Sequence, residues 1–429
     1  MAGFQTVKGF RDFYPEDCAL RNYIFSQWRK TASTYGFAEY EGAVIEQTAL
    51  YKKKSGDEIT SQLFCFEDKG GREVALRPEV TPSLARMAAA RQRDYRKPIK
   101  WFQIGSCFRY EEPQRGRTRE FVQFNVDILG EASIAADAEL VAFAIDSMRR
   151  FGFTKDEFSI RLSDRRLWTE FLTAEKIGEE HGPTFLQIID KMERAPKEVT
   201  DTKLKAIGLS LDKVQEFIAS VDSSSPVFAP LRENLEARGL WQYVKIDPGI
   251  VRGLAYYTGT VFEVFDLKHG LRAIAGGGRY DNLVSLLSDG GVDMPSCGFA
   301  MGDVVLTELI NRTPAAQDLV KAHMDAHFAN DAFVVVADET KRAEALKIVA
   351  DLRDSGLRVD YSFGAQKVGK QFQAAETVKA RLAVVVGAEY PTVVIKNLNS
   401  RDQMEVQAAN IVEKVAELAA APVYRNLIA

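Results

Sequence analysis

The stretch "KPIKWFQIGSCFRYE", the loop "EPQRGRTRE" and the stretch "FVQFNVDILG" constrain the fold more than any other part of the chain. In the last of these, Val122, Phe124, Val126 and Ile128 alternate with Gln123, Asn125 and Asp127. A period of two marks a strand, and it sends the three polar side chains to one face. Two such arms joined by a polar loop predict a long β-hairpin. A polar stripe on a strand ordinarily faces solvent. Here the opposite stripe is wholly apolar, so helices covering both faces of the sheet would turn the polar stripe into a concave site.

The rest of the chain reads around that hairpin. "YPEDCALRNYIFSQWRKTASTYGFAEY" predicts a helix from Pro15 that stops at Gly36. "QLFCFEDKGGREVALRPE" predicts a shorter hairpin turning at Lys69, Gly70 and Gly71, followed by a helix from Pro82 to about Gln92. Residues 134–151 predict a helix closed by Gly152. Residues 165–245 are rich in Lys, Glu and Leu at helical spacing and read as a helical insertion. Strands resume at "YVKIDPGIVRGLAYYTGTVFEVFDL". Residues 312–330 are polar and Ala-rich and suit a link between domains. Beyond them, strands and helices alternate, which predicts a small α/β domain with a largely parallel sheet. The fold class is therefore α+β: an antiparallel-sheet domain over 1–320, with its helical insertion at 165–245, and a C-terminal α/β domain over 331–429.

Composition narrows the class of function. In 429 residues, 56 Lys+Arg stand against 60 Asp+Glu, a formal charge of −4, so a nucleic-acid partner would need local basic patches. Cys18, Cys65, Cys107 and Cys297 are far apart, with no CxxC or Cys/His cluster. Free thiols in a reducing compartment follow. No apolar run reaches the ~18–20 residues of a membrane span, and the N-terminal segment lacks a secretory h-region. The expected location is the cytosol, with no membrane partner.

Arg109, Arg115, Arg117 and Arg119 cluster on one hairpin loop. Guanidiniums bind phosphate bidentately and stay charged, so the cluster suits a polyphosphate clamp. It equally suits a solvated tip balanced by Glu111, Glu112 and Glu120. "AGGGRYD" sits between a strand and a helix, which fits either anion binding or a tight turn. It is neither GxGxxG nor GxxxxGK[ST]. His181, His269, His323 and His327 lie outside the motif-bearing strands, and HxxxH without the Glu of HExxH reads as a helix face. No resident metal site is predicted. Arginines, carboxylates and amides without a side-chain nucleophile point to nucleotide binding and charge stabilisation at phosphorus.

Together these segments resemble the histidyl-tRNA synthetase family of class II aminoacyl-tRNA synthetases, in order and over nearly the whole chain. "GFRDFYP" and "LRPEVTPSLAR" open the likeness, and "FRYEEPQRGRTREFVQFNVDILG" resembles class II motif 2. "RGLAYYTGTVFE" and "AGGGRYDNL" resemble the two histidine-specific signatures, which separate this family from other class II enzymes. The resemblance implies a six-stranded antiparallel catalytic sheet, an anticodon-binding C-terminal domain and a homodimer. It implies ATP and Mg²⁺, activation of histidine to histidyl-adenylate, and transfer to the terminal adenosine of tRNA-His.

By the same resemblance, Arg109 holds the ATP α-phosphate, and Arg252 the histidine carboxylate and α-phosphate. Glu111 lies near the adenine or the tRNA end, and Arg117 belongs to the ATP set. Glu79, Thr81 and Gln123 take the α-amino end. Asp127 and Tyr257 read the imidazole, with Tyr280 nearby. In the C-terminal domain, Lys367, Lys370, Lys379, Lys396 and Arg401 offer phosphate contacts, and Phe372 and Tyr390 offer stacking surfaces.

Three positions depart from the family pattern. "GFAMGDVVLTEL" has Val305 where motif 3 carries an arginine for the γ-phosphate, with Asp303 and Val304 alongside. Arg115, Arg117 and Arg279 are the candidate substitutes. Ala43 replaces the motif 1 proline of the dimer interface, and Ala255 replaces an Asp. These departures mark a divergent branch. They also admit an alternative, a non-catalytic synthetase-like regulator that binds histidine or uncharged tRNA.

Overall fold

The computed structural model describes residues 3–55, 57–252 and 256–419. Ala255 lies outside them. The chain divides into two compact units, with the boundary between Gln317 and Asp318.

The first unit opens with α1 (Pro15–Thr34), whose first turn holds a proline at a position that needs no amide hydrogen. Gly36 follows it at φ +71°, the left-handed conformation that ends many helices. Strands β1 (Ala38–Glu39) and β2 (Ile45–Gln47) lead to α2 (Thr48–Ser55). The short hairpin of β3 (Cys65–Glu67) and β4 (Glu73–Leu76) precedes α3 (Thr81–Arg91). The long hairpin is β5 (Ile99–Phe108) and β6 (Glu120–Leu129), then α4 (Ile134–Arg149) and β7 (Phe158–Asp164). Asp164 caps the next helix by accepting from the Arg166 amide. That helix, α5 (Arg165–Ala174), begins the insertion, with α6 (Gly182–Lys191), α7 (Lys197–Lys205), α8 (Leu211–Ser220) and α9 (Ala229–Ala237). The unit closes with β8 (Val244–Ile246), β9 (Thr260–Asp266), β10 (Ala275–Arg279), α10 (Leu283–Leu287), β11 (Ser296–Gly302) and α11 (Asp303–Ile310).

Eight of these strands form one sheet in the order β1-β5-β6-β11-β10-β9-β7-β8. The six inner strands are mutually antiparallel, and only the short edge strands β1 and β8 pair in parallel. The implied six-stranded antiparallel sheet is thus present, with a parallel strand added at each edge. Its apolar face is aromatic. The ring of Phe124 stacks on Trp28 of α1 at 5.1 Å, and Phe143 of α4 packs edge-on against Phe299 of β11 at 5.7 Å. Trp28 is fully buried, so truncating it to Ala costs about 3–5 kcal/mol.

The stretch expected as a linker is instead helical, as α12 (Pro314–Phe328). The second unit contains β12 (Ala332–Val336), α13 (Arg342–Asp354), β13 (Val359–Tyr361), α14 (Val368–Thr377), β14 (Leu382–Val386), β15 (Thr392–Asn397), β16 (Gln403–Gln407) and α15 (Ile411–Ala419). Its sheet runs β13-β12-β14-β15-β16. The expectation of a largely parallel sheet needs correction, because β14–β15 and β15–β16 are antiparallel. The sequence hides β16 because it is an edge strand with four of five residues exposed and no apolar run.

Candidate active site

The polar stripe of β6 is inside the protein. Asn125 and Asp127 are buried, as is Gln103 on the neighbouring β5. Register explains how polar groups are accommodated at the centre of a sheet. Asp127 pairs with Gly298, Asn125 with Ala300 and Gln123 with Gly302 on β11. Gly298 and Ala300 pair in turn with Gly278 and Gly276 on β10. On β11 and β10 this face therefore carries almost no side chains, and the floor is hollow on that side of the stripe; on the other side β5 places Trp101 beside Asp127 and Gln103 beside Asn125.

The glycines are sterically required. A Cβ at Gly298 would lie 1.9 Å from Oδ1 of Asp127. The sequence of 276–278 suits a turn or an anion-binding loop, but the fold makes it neither. It is the interior of a central strand, with its bare backbone making room for side chains from elsewhere.

Over this floor lie two cavities that share Arg109, Gln123, Arg252, Gly276 and Ala300. The inner one is narrow, about 50 Å³, and is lined by Glu79, Thr81, Gln123, Asp127, Tyr257 and Tyr280 together with the two arginines. Tyr256 and Asn125 also face it. One oxygen of Asp127, Oδ1, accepts from the Tyr280 hydroxyl at 2.5 Å; Oδ2 is buried without a partner. Burial pushes the Asp127 carboxyl up to about 7, against the hydrogen bond from Tyr280. Burial likewise raises the tyrosines at 256, 257 and 280, so their hydroxyls stay protonated near neutral pH. Glu79 already holds a cation. The ammonium of Lys54 sits on its carboxylate and 4.4 Å from the centre of the Tyr256 ring. Burial lowers the Lys54 ammonium, and Glu79 opposes that shift.

The outer cleft, about 310 Å³, is strongly cationic. Arg109, Arg117, Arg194, Arg252 and Arg272 face it, against the carboxylates of Glu111 and Glu263. Arg109 follows the end of β5, donates to the Pro78 carbonyl at 3.1 Å and stands 5.0 Å over the Phe121 ring. Arg117 pairs with Glu111 at 2.8 Å and Arg252 with Glu263 at 3.0 Å. Burial works to lower the Arg252 guanidinium, but Tyr257 and Glu263 outweigh it and the net direction is up.

Arg252 has a left-handed backbone, φ +52°, unusual for a residue with a side chain. Arg165 at the start of the insertion holds that conformation. Its guanidinium donates to the carbonyls of Val251 at 2.9 Å, Arg252 at 2.7 Å and Tyr257 at 3.0 Å.

Residues 9–304 match the family described as histidyl-tRNA synthetase, and residues 331–418 match the anticodon binding domain. A histidine–tRNA ligase of Opitutus terrae is 43% identical over 430 residues, covering 95% of this chain and 96% of its own. A chloroplastic/mitochondrial histidine–tRNA ligase of Arabidopsis thaliana is 37% identical, covering 94% of this chain and 85% of its own. The crystal structure of a histidyl-tRNA synthetase from Nostoc sp. superposes with a TM-score of 0.74 at 27% identity, over 97% of this chain and all of that one. The chain belongs to the histidyl-tRNA synthetase family.

For a histidyl-tRNA synthetase fold, the arrangement bears on two of the candidate substitutes for the motif 3 arginine and on the residues around Val305. Arg279 is not available to a phosphate: it is buried in ion pairs with Asp137 and Asp281 and donates to the carbonyls of Glu131 and Ser133. Arg115 is held at the surface by Glu308. Asp303 ties down the chain instead of facing ligand, accepting from the Val122 amide and from Arg11. Val304 and Val305 do line the outer cleft.

In the second unit, Phe372 and Tyr390 are packed on the core, each with a lysine over its ring, Lys396 and Lys341 respectively. Both rings stay partly exposed. His323 and His327 stack on each other along α12 at 6.0 Å. Among the described residues no group of three or more His, Cys, Asp or Glu is placed to hold a metal ion.

Sequence reasoning missed Arg194, between α6 and α7, and Arg272, just before β10. Neither sits in a recognisable motif, and only the fold brings them to the cleft.

Proposed function

We propose that this protein is a histidine–tRNA ligase. One observation carries the reading: Arg109 and Arg252 face both cavities, at the junction of a narrow polar pocket and a cationic cleft. That is where an amino-acid carboxylate would meet an α-phosphate.

Histidine enters the inner pocket with its carboxylate toward the arginines. The free Oδ2 of Asp127 accepts an imidazole N–H, while Tyr280 engages the other oxygen. Tyr257 walls the pocket. Glu79, Thr81 and Gln123 take the α-ammonium, which competes with Lys54 for the Glu79 carboxylate. ATP lies in the outer cleft, with Glu111 and Arg117 beside it. A carboxylate oxygen attacks the α-phosphorus, an O–P bond forms, and the P–O bond to pyrophosphate breaks. Arg109 and Arg252 are fixed before the reaction, so they stabilise the developing charge without reorganising. The nucleophile belongs to the substrate, consistent with the absence of a nucleophile motif in the sequence. In the second step the terminal adenosine hydroxyl of tRNA-His takes the histidyl group and releases AMP.

Mg²⁺ enters as the counter-ion of ATP. Of the groups facing the cleft, the carboxylates of Glu111 and Glu263, each paired with an arginine here, have the hard oxygens that would hold it beside the phosphates. The match of the second unit to the anticodon binding domain supports tRNA-His as the partner. Among the described residues no helix is long and apolar enough to cross a membrane, and the free cysteines suit the cytosol. Exposed Val44 and Ile45, beside Ala43, support a homodimer through the segment that the family likeness assigns to that contact.

ATP–pyrophosphate exchange, run with each amino acid in turn, tests the reading. Exchange with histidine alone, falling by about 10²–10³ in Arg252→Ala, is the expected result. Folded protein that binds histidine but exchanges with no amino acid would leave the regulator as the reading.

A further inference from the structure

The outer cleft holds more positive charge than the α-phosphate needs. Two of its five arginines have no assigned role. Arg272 reaches a neutral partner, Gln114 Oε1, at 2.8 Å. The side chain of Arg194 makes no hydrogen bond or ion pair among the described residues. Both are exposed at the mouth, where a long polyanion would extend. Burial, then the charges of Arg117 and Arg194, push the Arg272 guanidinium down, with Glu111 opposing. Arg272 therefore feels the positive charge of both Arg117 and Arg194 across the cleft, a repulsion that an anion among them would relieve.

Their position bears on Val305. A Cβ at Gly116 would lie 3.5 Å from Cγ2 of Val305 and 3.6 Å from Cδ of Arg272. The stem of Arg272 and the valine at the motif 3 arginine position thus both flank Gly116 and line the same cleft. One side of the cleft lacks a cation, and the adjoining wall provides one.

We propose that Arg272, seconded by Arg194 from the helical insertion, binds the terminal phosphates of ATP in place of the absent motif 3 arginine. The inference rests on the ligase reading for the identity of the nucleotide. Planar guanidiniums suit the site because each grips two phosphate oxygens at once and keeps its charge. The insertion, on this account, is part of the nucleotide site.

Calorimetric binding of ATP and of AMP, with Mg²⁺ present, tests the proposal in wild type, Arg272→Ala, Arg194→Ala and the double variant. ATP affinity is expected to fall about tenfold or more in the double variant, AMP affinity to hold within twofold, and the KM for histidine to stay unchanged. Introducing Val305→Arg into Arg272→Ala should recover most of the ATP affinity. Equal weakening of ATP and AMP would mean a structural role, and unchanged ATP affinity would mean no role; either overturns the proposal. Histidine-dependent exchange in the wild type is read separately. If it is present without the ATP-against-AMP split, the proposal fails alone. If it is absent while the split persists, the phosphate contacts stand and the ligase reading falls.

Discussion

Gly276 vacates the space that the guanidinium of Arg252 fills: a Cβ at position 276 would lie 1.4 Å from Nη1. The glycine belongs to β10 and the arginine to the segment before β9, so two separate stretches of chain meet at one point. Arg252 is held there from behind by Glu263 and at its backbone by Arg165.

Gly276→Ala is therefore expected to act through Arg252. The methyl group forces the guanidinium aside, and histidine-dependent pyrophosphate exchange falls by about 10²–10³, the scale of losing one preorganised donor. Thermal stability should fall as well, because the displaced guanidinium leaves Glu263 without its partner. A variant of full activity would show that Arg252 has room to shift without leaving the phosphate.

Asp127 sets a pH dependence. Its carboxyl is held up at about 7 in the fold by burial, whereas an unfolded chain ionises it near ~4. Between those values the folded state keeps a proton that the unfolded state has released. Stability is therefore lost as pH rises from ~4 to about 7. Asp127→Asn removes this titration, so its Tm relative to wild type should improve between pH 5 and pH 8. Histidine affinity should fall about tenfold or more at both pH values, since the amide cannot present two acceptors. A constant Tm difference would show that Asp127 ionises in the fold at no cost.

Lys54 and Glu79 make a nearly buried pair, 2% and 14% exposed. Removing one partner of such a pair costs about 3–5 kcal/mol, because a carboxylate is left in a dry place. Lys54→Met should lower Tm accordingly. Histidine should then raise Tm more in the variant than in wild type, since its α-ammonium supplies the missing charge. Equal histidine-induced shifts would show that the α-ammonium does not reach Glu79.

Arg279 tests the distinction between a structural and a nucleotide-binding arginine. Its guanidinium satisfies Asp137 and two carbonyls at once, a geometry that an ammonium cannot reproduce. Arg279→Lys should destabilise by about 2–4 kcal/mol in denaturant unfolding. The KM for ATP should stay within twofold of wild type. A selective rise in that KM would return Arg279 to the phosphate site.

The hairpin of β5 and β6 was legible because alternation is a local property. Glu79, Arg109, Asp127 and Arg252 were legible through motifs. The meaning of Gly276–Gly278 was not, because a glycine run looks the same in a turn and in a strand emptied for distant side chains. Its function resides in Arg252 beside Gly276 and Tyr257 beside Gly278, which no spacing rule connects to it. Arg194 was hidden differently. It sits in an exposed turn of the insertion, among lysines and glutamates of ordinary surface character, and acquires a role only when the insertion folds beside the sheet.

Consecutive residues of β6 live in opposite worlds, Phe124 against Trp28 and Asn125 over a floor of alanine and glycine. Sliding this strand by one residue against β11 would exchange the two faces wholesale, pushing phenylalanine into the pocket and carboxylate into the aromatic core. Recognition of the substrate is thus written in alignment between strands as much as in the letters themselves. Substitutions far from the cleft that loosen this alignment should blur discrimination among amino acids before they unfold the protein.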